Sequence, residues 1–180
     1  MRTLLLLEWP YRDPHFCEGA LYQEFLDYAF SQTDFFMLVY ARYKSNKYSQ
    51  EQKFFKKALR PFQVKSRTEK DYGHWPGTQE YCENATYHTV FYRTDLKAKE
   101  ILARADGLNS WKRPWPGDLC FFKGNRCWFC LTCHEQLATV IDPSKDDVKF
   151  FVSKNLAIKD SIRTIQENDC AFAEDEDLLL

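Results

Sequence analysis

The apolar residues fall into short segments with two different periods. Leu4 to Leu7 form an unbroken aliphatic run, which predicts a central strand covered on both faces. The next apolar residues follow at the spacing of one helix face: Leu21, Phe25, Tyr28 and Ala29. Residues 35–43 are then rich in aromatic and aliphatic side chains, which is typical of a strand. Strand, helix and strand in this order predict a right-handed crossover that joins two parallel strands.

The second half of the chain carries turn and capping signals. Leu119 to Phe122 and Cys127 to Cys133 flank the sequence Lys-Gly-Asn-Arg, which predicts a β-hairpin around Gly124. Residues 138–141 are expected to add a further strand to this antiparallel unit. Capping pairs predict two helices, and these pairs are Ser49 with Gln52 and Ser144 with Asp147.

In the segment 63–85, apolar residues follow neither the spacing of a helix face nor the alternation of a strand. Gly73, Pro76 and Gly77 punctuate it, and it is long for a connection without secondary structure. It is therefore predicted to be a functional loop or a poorly ordered one.

These elements predict an α/β fold of the mixed α+β kind. A single domain over residues 1–170 is expected to contain a central mixed sheet with a parallel β-α-β start, a C-terminal antiparallel hairpin and flanking helices. Residues 171–180, which include four acids and three leucines, are expected to form a disordered acidic tail.

Charge and the N-terminal residues limit the classes of partner. Lys and Arg number 25 and Asp and Glu 26, a balance that disfavours binding to nucleic acid. The first apolar run stops at Glu8 and Pro10, too early for an export signal or a membrane span. We therefore expect a cytoplasmic protein without nucleic-acid or membrane contacts, whose seven cysteines are free thiols. The oligomeric state stays open.

A cysteine-rich segment offers candidate metal ligands. Cys127, Cys130, Cys133 and His134 are residue types that bind zinc, and Cys120 or Cys82 would be further candidates. Side chains alternate along a strand, so Cys127 and Cys133 are expected on one face and Cys130 on the other. The sequence accordingly predicts no cofactor, with a zinc site or a thiol enzyme at these residues as the alternative.

The same segment matches two catalytic patterns. Cys130-Leu-Thr-Cys133-His134 has the spacing of a haem-attachment motif, which normally requires export. Cys133-His134-Glu135 contains a nucleophile, a base and an acid, but adjacent residues on a strand diverge. A distant histidine would be needed, with His15, His74 and His88 as candidates. No catalytic residue is assigned.

Two aromatic segments rich in Pro and Gly are typical of binding surfaces. The residues predicted to contact a partner are His74 and Trp75 in one segment and Trp111, Arg113 and Trp115 in the other. Large rings on rigid loops bury much area at a small entropic cost, as at protein interfaces. The alternative is that these rings cover the core.

Short motifs resemble a group of small uncharacterised bacterial proteins, some with sporulation-related names. The motifs are Leu7-Glu8-Trp9-Pro10, Trp75-Pro76-Gly77-Thr78, Asp118-Leu119-Cys120-Phe121 and His134-Glu135. The resemblance implies a bacterial or phage cytoplasmic protein of similar size and brings no known activity. Cys130 and Cys133 stand where that group is expected to carry Val-like and Ser-like residues, which weakens the metal alternative.

The sequence therefore predicts a non-catalytic protein of bacterial or phage origin that binds another protein. An immunity protein, an antitoxin or a phage-conflict factor would fit that description.

Overall fold

The computed structural model describes residues 2–7, 15–44 and 47–165, and the predicted acidic tail at 171–180 lies outside them. The strands are β1 Arg2–Leu7, β2 Phe35–Arg42, β3 Gln63–Trp75, β4 Thr78–Arg93, β5 Gly117–Lys123, β6 Arg126–Thr132, β7 Leu137–Ile141 and β8 Ile162–Ile165. The α-helices are α1 Gly19–Gln32, α2 Gln50–Leu59, α3 Leu96–Leu102 and α4 Lys145–Ser153. Among the described residues, none of the helices is both long and apolar enough to cross a membrane.

The described strands form one antiparallel sheet in the order β3-β4-β2-β5-β6-β7-β1-β8. The prediction of a mixed sheet with a parallel β-α-β start is therefore wrong. β1 and β2 run in the same direction, but β5, β6 and β7 lie between them. The spacing of apolar residues along the chain indicates which side chains are buried. It does not indicate which strands are neighbours, so the strand order could not be predicted from it.

The four α-helices of the described residues pack on one face of this sheet. Alternation along β2 separates the two faces, since Phe36 and Leu38 belong to the helix-side core whereas Met37 and Val39 belong to a second cluster. Each helix contributes buried side chains to the first core, including Phe25, Phe55, Leu102 and Phe151. In the second cluster, the buried residues of β2, β5 and β6 pack with the β3–β4 hairpin, which supplies Trp75 at its end and Ala85 from the middle of β4.

The local turn and capping predictions are confirmed. Ser49 and Ser144 each cap a helix through a complete capping box. β5 and β6 form the predicted hairpin, whose turn begins at Gly124 with a φ of +55°. β7 then pairs with β6 as expected.

The prediction of an irregular loop at 63–85 is wrong, because this segment forms most of the β3–β4 hairpin. β3 is an edge strand whose side chains are largely exposed or half-buried, so it lacks the apolar alternation of a core strand. The pairing register shifts between Lys70 and Tyr72, where Asp71 and Asn84 adopt positive φ angles of 64° and 63°. The Asn84 backbone N–H donates a 2.7 Å hydrogen bond to the Asp71 carboxylate at this irregularity.

Candidate functional site

The β3–β4 hairpin ends in a tight turn at Pro76 and Gly77. Pro76 fixes its own φ near −65°, and Gly77 supplies a φ of +82°, the combination that a type II turn requires. Trp75 and Thr78 flank the turn and are directly paired. The backbone geometry therefore places Trp75 at the turn, directly opposite Thr78.

Asp118 of β5 ties this hairpin end to the sheet. Its Oδ2 accepts a 2.8 Å hydrogen bond from Trp75 Nε1 and a 3.4 Å bond from the Thr78 hydroxyl, and its Oδ1 accepts a 2.9 Å bond from the Cys133 backbone N–H. The Asp118 side chain is buried. A carboxylate that accepts from three donors holds the hairpin end against β5 and the end of β6.

The environment of Asp118 has opposing effects on its acidity. Burial raises the pKa of the carboxyl group above its ordinary value, while the hydrogen bonds and the nearby His134 act to lower it. Hydrogen bonds between uncharged groups also connect the hairpin end to β6. The Thr132 hydroxyl donates a 3.1 Å bond to the Gly77 carbonyl and lies 3.2 Å from the Thr78 hydroxyl.

Trp111 and Trp115 lie opposite this hairpin end, in the connection that leads into β5. Their rings meet edge to face, with centroids 6.1 Å apart at 88°, and both pack on Phe55 of α2. Trp111 is fully buried, and its Nε1 donates a 3.1 Å hydrogen bond to the Tyr22 hydroxyl of α1. Aromatic packing thus fixes the connection against two helices.

The hairpin end, β2, α2 and the Trp111–Trp115 connection enclose a cavity of about 460 Å³, here called the Trp cavity. Its wall combines large aromatic rings with a few polar groups. The lining residues are Val39, Ala41, Tyr43, Gln52, Trp75, Glu80, Trp111, Lys112, Arg113, Trp115, Gly117, Asp118 and His134.

The exposed charges of the Trp cavity are mainly basic. Lys112, Arg113 and His134 are all exposed, and the Arg113 guanidinium lies over the Tyr43 ring at 5.8 Å from its centroid. Of the two acids, Asp118 is buried, and Glu80 accepts a 3.0 Å hydrogen bond from the Tyr43 hydroxyl. The cavity therefore presents an aromatic wall with basic groups near the solvent.

No family model, curated protein or solved structure matches the chain. Function therefore has to be inferred from the chemistry of the site.

The structure brings four of the five predicted partner-binding residues together. Trp75, Trp111, Arg113 and Trp115 all line the Trp cavity, although they come from two segments about 40 residues apart. Trp75 and Trp111 are buried, so the alternative of rings that cover the core describes part of their role. His74 lies outside the cavity wall, where its Nδ1 is 2.8 Å from Glu69 Oε1 and its ring stacks on Tyr72.

The prediction that Cys127 shares a face with Cys133 is wrong. Cys120 pairs with Cys130 and Phe122 pairs with Cys127, so one extra residue, Trp128, is inserted as a β-bulge. The bulge turns Cys127 to the face of Cys120 and Cys130, in the second cluster, while Cys133 belongs to the helix-side core. A bulge shifts the alternation by one residue, and a strict period of two cannot anticipate it.

The four predicted zinc ligands, Cys127, Cys130, Cys133 and His134, do not all converge. Cys127 and Cys130 share the second cluster with Cys120, and the Cys127 thiol lies within hydrogen-bonding reach of the other two. Cys130 and Cys133 lie in cores on opposite faces of the sheet, and His134 is exposed. Among the residues that the structure describes, no group of three or more His, Cys, Asp or Glu side chains is placed to hold a metal ion.

The environment of the Cys133 thiol is also unlike that of a catalytic nucleophile. Its thiol donates to the carbonyls of Leu108 and Asn109 at 3.5 Å, and burial raises its pKa to about 12. The three candidate histidines contact other groups, since His15 pairs with Glu18, His74 with Glu69 and His88 with Thr68. The Cys133-His134-Glu135 sequence therefore does not form a nucleophile activated by a base.

Sequence reasoning gave no functional role to Tyr43, Glu80, Lys112 or Asp118. The available signal was Asp118, a single acid directly before the apolar run that begins at Leu119. A carboxylate buried at the start of a strand needs donors from elsewhere, so it indicates a tertiary contact. Nothing in the sequence identifies Trp75 as that donor.

Proposed function

We propose that the chain is a non-catalytic protein that binds another protein, and that the Trp cavity is its binding site. The observation that carries the proposal is the convergence of Trp75, Trp111, Trp115 and Arg113 on one cavity. Trp and Arg are the residues that most often dominate binding energy at protein interfaces.

The fixed wall of the Trp cavity supports this proposal. The Trp75 indole is held by Asp118, and Trp111 is held by Tyr22. Rings that are already ordered lose little conformational entropy when a partner binds, so more of the contact energy appears as affinity.

Size and charge define the partner segment. A cavity of about 460 Å³ accommodates a few side chains but not a folded element. Its aromatic wall suits an apolar or aromatic anchor, and the basic groups Lys112, Arg113 and His134 suit acidic neighbours of that anchor. We therefore infer a partner segment that carries an apolar anchor next to Asp or Glu.

The biological setting belongs to the same proposal. The resemblance of the short motifs to bacterial proteins supports a bacterial or phage origin. Recognition of a partner without catalysis is compatible with an immunity protein, an antitoxin or a phage-conflict factor.

A selection from displayed random peptides tests the proposal, followed by calorimetry with the selected peptide. Trp115→Ala is expected to lower the affinity by about thirtyfold, as loss of a hot spot does, and Arg113→Glu by about tenfold. Tyr81→Ala removes an aromatic ring that lies on the hairpin outside the cavity wall and is 74% exposed, and it serves as the control.

The proposal predicts selected peptides rich in acidic and apolar residues. It would be abandoned if no peptide bound, or if Tyr81→Ala weakened binding as much as the cavity variants. Circular dichroism of each variant distinguishes a lost contact from a lost fold, and Arg113→Glu is the variant less able to disturb the core, because Arg113 is exposed.

A further inference from the structure

A second polar cluster lies on the helix side of the sheet, between α2 and the paired strands β2 and β4. The ammonium group of Lys56 on α2 lies 4.4 Å from the ring centroid of Tyr48 and 5.4 Å from that of Tyr40. The guanidinium of Arg42, at the end of β2, lies 5.0 Å from the same Tyr48 ring. Two cations therefore share one aromatic ring.

His88 of β4 adds a third basic side chain. Its ring is 6.4 Å from that of Tyr40, and its Nδ1 is 3.0 Å from the Thr68 hydroxyl. Desolvation and then the positive charges of Lys56 and Arg42 lower the pKa of His88 to about 4. The pKa of Lys56 is lowered by desolvation and by Arg42. The cluster is thus an electropositive environment in which each further positive charge is unfavourable.

Strand pairing extends this positive region. Arg42 lies opposite Thr86, and Thr86 lies opposite Lys70 on the next strand. Directly opposed residues point to the same face, so Lys70 belongs to the face of Arg42 and His88.

The cluster has unused hydrogen-bonding capacity. The Nε atom of Arg42 is buried, and no partner for it occurs among the described residues. Among the described residues, the ion pairs are formed by other cations, and none of them includes Arg42, Lys56 or His88. A buried guanidinium donor without a partner is costly, and an anion would satisfy it.

We infer that Arg42 and Lys56, with His88 beside them, form a binding site for a phosphate-type oxyanion. The ligand is inorganic phosphate or a small phosphate monoester. The guanidinium offers charge-assisted hydrogen bonds to the phosphate oxygens, and the ammonium supplies a compact positive charge. This site is separate from the Trp cavity, because Ala41 and Tyr43 line that cavity whereas Arg42 between them points to the other side of β2.

The test is a titration of the whole protein at fixed pH and constant ionic strength, followed by NMR of the His88 ring. Inorganic phosphate and phenyl phosphate are added in parallel, with sodium chloride as the reference salt. We expect saturable shifts with phosphate. Lys56→Gln and Arg42→Gln are each expected to weaken binding about tenfold or more, because each removes a charge-assisted contact.

Lys57→Gln is the matched control, because Lys57 lies on the same helix and is exposed. It removes one charge as well, and it is expected to change the affinity by less than about twofold, as for an exposed charge.

Saturable binding of either phosphate compound supports the site and identifies which source it accepts. Two outcomes overturn it: neither compound saturates beyond the effect of chloride, or Lys57→Gln weakens binding as much as Lys56→Gln. If Arg42→Gln fails to fold, the titrations of Lys56→Gln and of the wild type still test whether the phosphate site exists.

Discussion

The indole N–H of Trp75 donates a 2.8 Å hydrogen bond to the buried carboxylate of Asp118, 43 residues further along the chain. This contact connects the end of the β3–β4 hairpin to the central part of the sheet. It also sets one wall of the Trp cavity, so the stability of the hairpin end and the shape of the cavity depend on the same carboxylate.

Asp118→Ala is expected to destabilise the protein by about 2–4 kcal/mol, because buried donors lose their acceptor. The donors are the Trp75 indole, the Thr78 hydroxyl and the Cys133 backbone N–H. Urea unfolding measures the loss, and hydrogen exchange should show faster opening at the hairpin end. The exposed Asp106 gives the control substitution, Asp106→Ala, whose effect should stay within about 0.5 kcal/mol. Equal effects of the two changes would contradict the role of Asp118.

Gly73→Ala is expected to cost about 1–3 kcal/mol through overpacking. A Cβ atom at Gly73 would lie 2.6 Å from Cγ of Tyr87 and 2.7 Å from the ring of Trp75. Neither ring atom is the far end of a flexible side chain. Gly117→Ala is the matched control, because its Cβ would meet its nearest atom at 3.8 Å. Thermal unfolding of both variants tests the difference, and an unchanged Gly73→Ala variant would show that the two rings move apart easily.

His88 makes the stability depend on pH in a defined direction. Its pKa falls from the ordinary 6.5 to about 4 in the folded chain, so over this interval the unfolded chain binds a proton that the folded chain does not. The contribution of His88 is therefore fully present above pH 6.5 and is lost as the pH falls towards 4. Urea unfolding from neutral to acidic pH should show a smaller loss in His88→Gln. Identical slopes in the wild type and in His88→Gln would refute this linkage.

Thiol alkylation should follow burial. Half-buried Cys82 is expected to react with iodoacetamide in the native protein, whereas buried Cys17 and Cys133 should react only after unfolding. Burial raises the pKa of each of these two thiols to about 12, so at mildly alkaline pH they carry almost no thiolate. Peptide mapping by mass spectrometry, with and without urea, measures the order. Fast native labelling of Cys133 would contradict its placement and restore it as a candidate nucleophile.

Local features of the fold could be predicted from the sequence because their causes are local. The capping boxes at Ser49 and Ser144 and the turn at Gly124 need only residues within four positions of one another. The aliphatic run at residues 4–7 was predicted to be a central strand covered on both faces. It forms β1, with Leu5 and Leu7 in the helix-side core and Leu4 in the second cluster, but it lies next to the edge strand β8 and not at the centre of the sheet.

The candidate site was only partly accessible in this way. Trp and Arg on segments rich in Pro and Gly drew attention to Trp75, Trp111, Arg113 and Trp115, but the convergence of the two segments depends on pairing between distant strands. The basic cluster gave no sequence signal, because Arg42, Lys56 and His88 are spread over three elements that meet only in the folded chain.

The sequence by itself determined the elements that carry an apolar period or a capping box, since these signals act within a few positions, whereas the exposed edge strand β3 carries neither. The tertiary structure alone decided the antiparallel strand order, the bulge at Trp128 that regroups the cysteines, and the contact between Trp75 and Asp118. These features depend on which distant surfaces bury one another best, and the free energy of such burial is a property of the whole packed chain and of no single segment.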